Sequence, residues 1–172
     1  MSDISTVLKY KIGDNVIYKN SGICCVCDVK EMSFTTPEKK LYYVLSPVYS
    51  KGSHTYVPAE LEDSMRDIIC KEEAEKAISS FSSIELEWIP EIKARAEYLN
   101  SVIANFNRAE ILAVVKMLSE HKKECESKRK KMYASDSKIL NIAEKMIRDE
   151  FAFVLGIERE EVFDYIKNAI SK

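Results

Sequence analysis

Glu87-Trp88-Ile89-Pro90-Glu91 is where this chain changes texture. Before it, apolar residues come in short runs broken by turn residues. After it, they recur at three- and four-residue intervals. Trp88 is the only tryptophan in 172 residues. A large aromatic at such a seam has two readings. Burial of so much indole area suits a plug between two domains. An exposed ring suits a wedge or stacking platform on DNA.

Upstream of the seam, Met65–Ile69 and His54–Val57 read as short strands, and Leu41–Leu45 is rich in β-formers. Ile23–Val29 is a nearly continuous apolar strand, and residues 8–18 hold a first strand after the Gly13-Asp14 turn. Asn20-Ser21-Gly22 is turn chemistry, because glycine accepts the positive φ of a tight reversal. Pro37 and its charged neighbours suit a hairpin loop over residues 34–40, while Pro47 and Pro58 confine their strands to edges or bends. Short strands at this spacing predict a small barrel or a strongly bent sheet.

The helical period begins at Lys71, where Ala74, Ala77, Ile78 and Phe81 share one face. Ser79-Ser80 and Ser82-Ser83 flank Phe81 and read as a linker. Pro90 suits the first turn of a helix, where a missing N–H costs nothing, and Ile92, Ala96, Leu99 and Ile103 form the stripe that follows. Asn107 to Glu110 reads as a capping box ahead of Ile111, Val114, Val115 and Leu118. Ser135 or Asp136 is placed to cap a helix carrying Ile139, Leu140, Ala143, Met146, Ile147 and Phe151, which Gly156 stops. Val162, Phe163, Ile166 and Ile170 mark a last short helix.

Composition narrows the function classes. No apolar run approaches the ~20 residues that cross a bilayer, and Met1-Ser2-Asp3-Ile4-Ser5 has neither the basic start nor the apolar core of a signal peptide. A cytoplasmic protein with reduced thiols is expected, since the five cysteines are odd in number. Charge is uneven: residues 1–87 carry 10 basic and 14 acidic side chains, residues 88–172 carry 16 and 14. The second half is the better partner for a polyanion.

No catalytic set is present. The chain has only four glycines and lacks a phosphate-cradling loop, a nucleophile elbow and a His-Glu-x-x-His pair. Neither an enzyme nor a cofactor nor a small-molecule substrate is expected. Cys24, Cys25 and Cys27 raise a metal reading, with Cys25 and Cys27 on one strand face and Cys24 on the other. A structural zinc site needs a second ligand pair, which His54 and His121 do not supply, so core filling is the better account. His121 and Cys125, four apart, are read as part of a solvated helix face. The run Lys122-Lys123 and Lys128-Arg129-Lys130-Lys131 is either a solvated helix end or a set of phosphate contacts, which give affinity without reading sequence. Lys93, Arg95, Lys138, Lys145 and Arg148 would widen that patch if their helices present one face.

Several of these pieces occur in one known order. Lys11-Ile-Gly-Asp14, Val16-Ile-Tyr18 and Gly22-Ile-Cys-Cys-Val26 resemble the K-x-G-D-x-V-V-Y-x-x-x-G-x-x-x-V opening of CarD-like (CdnL-type) bacterial transcription regulators. Tyr43-Val-Leu45, Tyr56-Val-Pro58-Ala-Glu60 and Met65-Arg66-Asp67 continue it. Trp88 with Lys93 and Arg95 is similar to the family's tryptophan and basic helix, Ile111–Leu118 to its E-V-V-R-D-L helix, and Ala143–Ala152 to its late helix. Two departures stand out. Arginines of the family's polymerase-binding strands fall at about Met32 and Tyr56, and the basic residues after the tryptophan are Pro90 and Glu91.

The resemblance implies an α+β chain: a Tudor-like β-barrel in residues 1–70 that binds the RNA polymerase β subunit, a helical linker at 71–87, and a helical DNA-binding domain at 88–172. It places polymerase contacts at Met32, Tyr43, Tyr56, Val57 and Pro58. Promoter DNA at the upstream edge of the transcription bubble would meet Trp88 as a wedge, with Lys93, Arg95, Lys128, Arg129, Lys130, Lys131 and Lys138 on the backbone. The function so implied is non-enzymatic control of open-complex stability. A different class is a protein-interaction adaptor whose sheet binds a strand by edge addition and whose helices never touch DNA. A small metalloprotein built on the cysteine trio is a third.

Overall fold

The computed structural model describes residues 7–34, 37–50 and 52–171. Met1–Ser5, and Thr35 and Thr36 of the expected hairpin loop, lie outside the described residues. The chain divides into two compact units, Met1–Ile68 and Ile69–Lys172.

The first unit is a five-stranded antiparallel sheet of β1 (Asn15–Tyr18), β2 (Gly22–Met32), β3 (Lys40–Pro47), β4 (Thr55–Pro58) and β5 (Met65–Asp67), in the order β4-β3-β2-β1-β5. Gly22 opens β2 at φ 68, ψ -137, a conformation that a side chain would forbid. Val16, Cys24, Val26, Tyr43, Leu45, Val57 and Met65 form one core drawn from all five strands. Among the described pairings β4 and β5 remain edges, so the expected Tudor-like barrel is an open sheet. It nevertheless curls. The 3-10 segment Ala59–Ser64 links the two edge strands, and at ~2 Å rise per residue it reaches about 14 Å. Edges of a flat five-stranded sheet would stand about 19 Å apart.

The register shifts between Val26 and Asp28, where Cys27 is the extra residue of a bulge. This interrupts the expected alternation of the cysteines. Cys24 is buried, Cys25 is half-buried and Cys27 is exposed, all as free thiols. Among the described residues no three His, Cys, Asp or Glu side chains are grouped to hold a metal.

Tyr43 anchors this sheet to the crossing segment. Its ring is fully buried, its hydroxyl donates to Glu62 Oε2 at 2.7 Å, and the same oxygen accepts from the Tyr10 N–H at 3.4 Å. Burial, then the Glu62 carboxylate, push its pKa up to about 12. An unfolded tyrosine ionises near pH 10. Between about pH 10 and 12 the unfolded chain therefore holds fewer protons than the folded one, and stability falls as pH rises. Wild type should lose about 2 kcal/mol more than Tyr43→Phe between about pH 9 and pH 12 in denaturant titrations. Equal losses would show that the hydroxyl ionises freely in the fold.

The second unit contains α1 (Lys71–Ser80), α2 (Ile92–Ala104), α3 (Arg108–Ser127), α4 (Ala134–Leu155) and α5 (Val162–Ile170). Ala74, Ala77, Ile78 and Phe81 join Leu99, Ile111, Val114, Leu118, Ile147, Phe151 and Val162 in one core. Residues 71–83, expected as part of a linker, are thus part of this bundle, because their apolar face has a core to join. Asn107 caps α3, accepting from the N–H groups of Ala109 and Glu110. The reciprocal half of the expected capping box differs: the Glu110 carboxylate meets the Asn107 side-chain amide at 3.4 Å. Gly156, left-handed at φ 67, stops α4 as its position suggests.

Two helix starts differ from expectation. Pro90 lies outside α2, whose N-cap is Glu91; its carboxylate accepts from Lys93 and Ala94 N–H groups, and these bonds hold its pKa below the usual range. Neither Ser135 nor Asp136 caps α4. The helix begins at Ala134, and Asp136 turns inward to a buried partner.

Candidate functional site

The loop Ile84–Glu91 carries Trp88 across the bundle between α1 and α2, with Leu86 packed against the core. The indole is 38% exposed. The Arg95 guanidinium carbon lies 4.4 Å from its ring centre, and the His121 ring of α3 lies 4.4 Å away at a 44° tilt. These described ring contacts are all within the second unit. Trp88 is both a lid over Arg95 and a partly exposed aromatic.

Arg95 does not take the role expected of it. It is 2% exposed, and Asp136 opposite it is fully buried. Nε and Nη2 donate to Asp136 Oδ1 and Oδ2 at 3.1 and 2.7 Å, and Nη1 donates to the carbonyls of Ile89 and Pro90 at 2.7 and 3.1 Å. A guanidinium so committed has no group left for a phosphate. Lys93 stays exposed, but two residues on a helix turn about 200°, so it lies away from the Trp88 side of α2.

Beside the indole is an open groove of about 430 Å³ lined by Trp88, Met117, Glu120, His121 and Glu124. Its polar lining is acidic. Glu124 also holds Lys128 in an i,i+4 ion pair, and their hydrogen bond lowers the carboxyl pKa and raises that of the lysine.

The basic run forms the turn after α3. Arg129 N–H donates to the Glu126 carbonyl and Lys130 N–H to the Cys125 carbonyl, the paired bonds of a Schellman motif. Arg129 occupies its left-handed position at φ 53, where glycine is the usual residue. Lys128, Arg129, Lys130 and Lys131 are all exposed, as is Tyr133 at the N-cap of α4 and Lys138 one turn into it. From His121 to Lys128 is two turns on one face of α3, about 10 Å along the axis. The fold therefore brings the basic turn to the Trp88 end of α3. Cys125 follows on the same face, its sulfur 3.5 Å from His121 Nε2.

In the first unit the expected polymerase contacts separate by strand alternation. Tyr43 and Val57 are fully buried and face the core. Tyr56 is exposed, and Pro58 and Met32 are half-buried. Sequence reading missed Phe34, 55% exposed, whose ring stands 5.2 Å from Tyr42 and 5.5 Å from Tyr56. This aromatic cluster borders β4, an edge strand. The other edge, β5, has three residues and presents Arg66 and Asp67 outward, features that discourage strand addition.

Residues 10–69 match the model of the CarD-like/TRCF RID domain, about a third of the chain. The first unit is a domain of that family. No curated protein matches the chain. Domains of the RID family are non-enzymatic interaction modules for the RNA polymerase β subunit. The RID domain here spans the whole described sheet, from Tyr10 through β5. No helix of the structure is long and apolar enough to cross a membrane among the described residues.

Proposed function

We propose that the chain is a cytoplasmic, non-enzymatic transcription regulator. Its RID domain binds the RNA polymerase β subunit, and its helical unit holds promoter DNA at the upstream edge of the bubble, where Trp88 slows bubble collapse. The observation that carries this reading is the family match over residues 10–69. The partly exposed indole and the basic turn at the same end of α3 support its DNA half. The backbone contacts are Arg129, Lys130, Lys131 and Lys138, with Lys128 shared with Glu124 and Lys93 farther round the bundle.

The reading is tested by open-complex lifetime with the full chain. Trp88→Ala should shorten the lifetime while leaving polymerase binding intact, and an unchanged lifetime removes the wedge. Arg129→Gly makes a second test with opposite signs. Relief of the left-handed conformation should raise stability by about 1 kcal/mol, yet loss of one phosphate contact should weaken DNA binding and reduce its salt slope by about one unit. Stability and DNA binding moving together would deny Arg129 that contact.

One observation favours the adaptor reading. The groove beside Trp88 is lined by Glu120 and Glu124, and carboxylates repel phosphate. Under that reading the helical unit binds a protein, and its affinity changes little with salt. Steep salt dependence of DNA binding decides for the first reading.

A further inference from the structure

We infer that Arg95 and Asp136 are positioning residues whose role is to fix the presentation of Trp88. This rests on the proposal that Trp88 acts on DNA, but its structural half can be tested apart from it. Four donor contacts of Arg95, two to Asp136 and two to the Ile89 and Pro90 carbonyls, all lie along the edge of the guanidinium, where its N–H groups point. The face of that plane is left for the indole, which rests on it at 4.4 Å. One flat cation thus joins α2, the first turn of α4 and the loop carrying Trp88, and orients the ring through cation–π attraction.

The energetic logic points the same way. A buried ion pair is often no more stabilising than apolar groups of the same size, and the surrounding core is already apolar on every helix. The pair specifies a geometry. The two carbonyls it holds belong to Ile89 and Pro90, the residues directly after Trp88, so the loop backbone and the ring are fixed by the same group. His121 then limits the ring from α3. A lysine would keep the charge at position 95, but not the planar fork or the stacking face.

Because Trp88 is the only tryptophan, its fluorescence reports the presentation directly. In Arg95→Lys, acrylamide quenching should rise up to about two- to threefold, the ratio of a freed ring to one 38% exposed, with red-shifted emission and helical circular dichroism retained. Asp136→Asn, which keeps both shape and stacking, should show a smaller rise and serves if Arg95→Lys does not fold. Open-complex lifetime with Arg95→Lys should fall towards that of Trp88→Ala, and the double variant should lose nothing further. Unchanged quenching and emission in a folded variant would overturn the inference. Altered quenching in Arg95→Lys, with lifetime unmoved by Trp88→Ala, would uphold the positioning role and sink the wedge.

Discussion

Asp136→Ala is expected to lower the stability of the helical unit by about 3–5 kcal/mol. The reason is what it leaves behind. Arg95 is 2% exposed and cannot shed its proton, so without Asp136 a charge stays in a dry site with Nε and Nη2 unpaired. The two carbonyls that Nη1 retains are dipoles and do not neutralise it. Loss of an acidic side chain from the first turn of α4 adds to the deficit, since the helix N-terminus favours negative charge. Against a typical domain stability of about 5–15 kcal/mol, such a loss brings the unit near unfolding. The double replacement Arg95→Met with Asp136→Leu removes both charges together and should recover most of it, while still freeing Trp88. Urea titrations followed by Trp88 fluorescence and circular dichroism measure both effects. A loss under about 1 kcal/mol in Asp136→Ala would mean that water reaches the guanidinium and that the pair behaves as a surface one.

That pair also shows where sequence reading stops. The stripe Ile92, Ala96, Leu99, Ile103 was legible from spacing alone, and Arg95 falls within it, three residues after Ile92 and four before Leu99. Asp136 likewise lies three residues before Ile139 and four before Leu140. Two opposite charges at apolar-face positions were the available signal for a buried ion pair. What spacing does not supply is the partner: the two are 41 residues apart on different helices. Resemblance instead grouped Arg95 with Lys93 as a basic surface, although helical geometry turns them to different sides. The strands followed their β-formers and turn residues closely. Yet the same alternation that predicts them turns Tyr43 and Val57 inward, and their places on polymerase-facing strands hid this. Phe34 lies in a stretch read only as loop, and its cluster with Tyr42 and Tyr56 depends on the β3–β4 register, which pairs Tyr42 with Pro58 and Val44 with Tyr56.

Phe34→Ser combined with Tyr56→Ser is expected to weaken binding to the RNA polymerase β subunit by about 2 kcal/mol or more, roughly 30-fold. Aromatic anchors at the centre of an interface carry most of its energy, and these two stand on the edge that is better suited to receive another strand. In edge addition, main-chain hydrogen bonds hold the partner while alternate side chains give specificity, and Tyr56 is the outward residue beside the inward Val57. Both aromatic residues are substantially exposed, so the sheet should keep its stability to within about 0.5 kcal/mol each, which separates lost contact from lost fold. Titration of labelled β subunit with the full chain, at low and high salt, gives the measurement. The wild-type affinity should change little with salt, because the cluster is apolar and the nearby charges Lys40 and Glu60 neutralise each other in an ion pair. Unchanged affinity in the double variant would move the polymerase contact away from the β4 edge. A further Tyr43→Phe replacement should add nothing to the loss, since the Tyr43 ring faces the core and its hydroxyl is already engaged by Glu62.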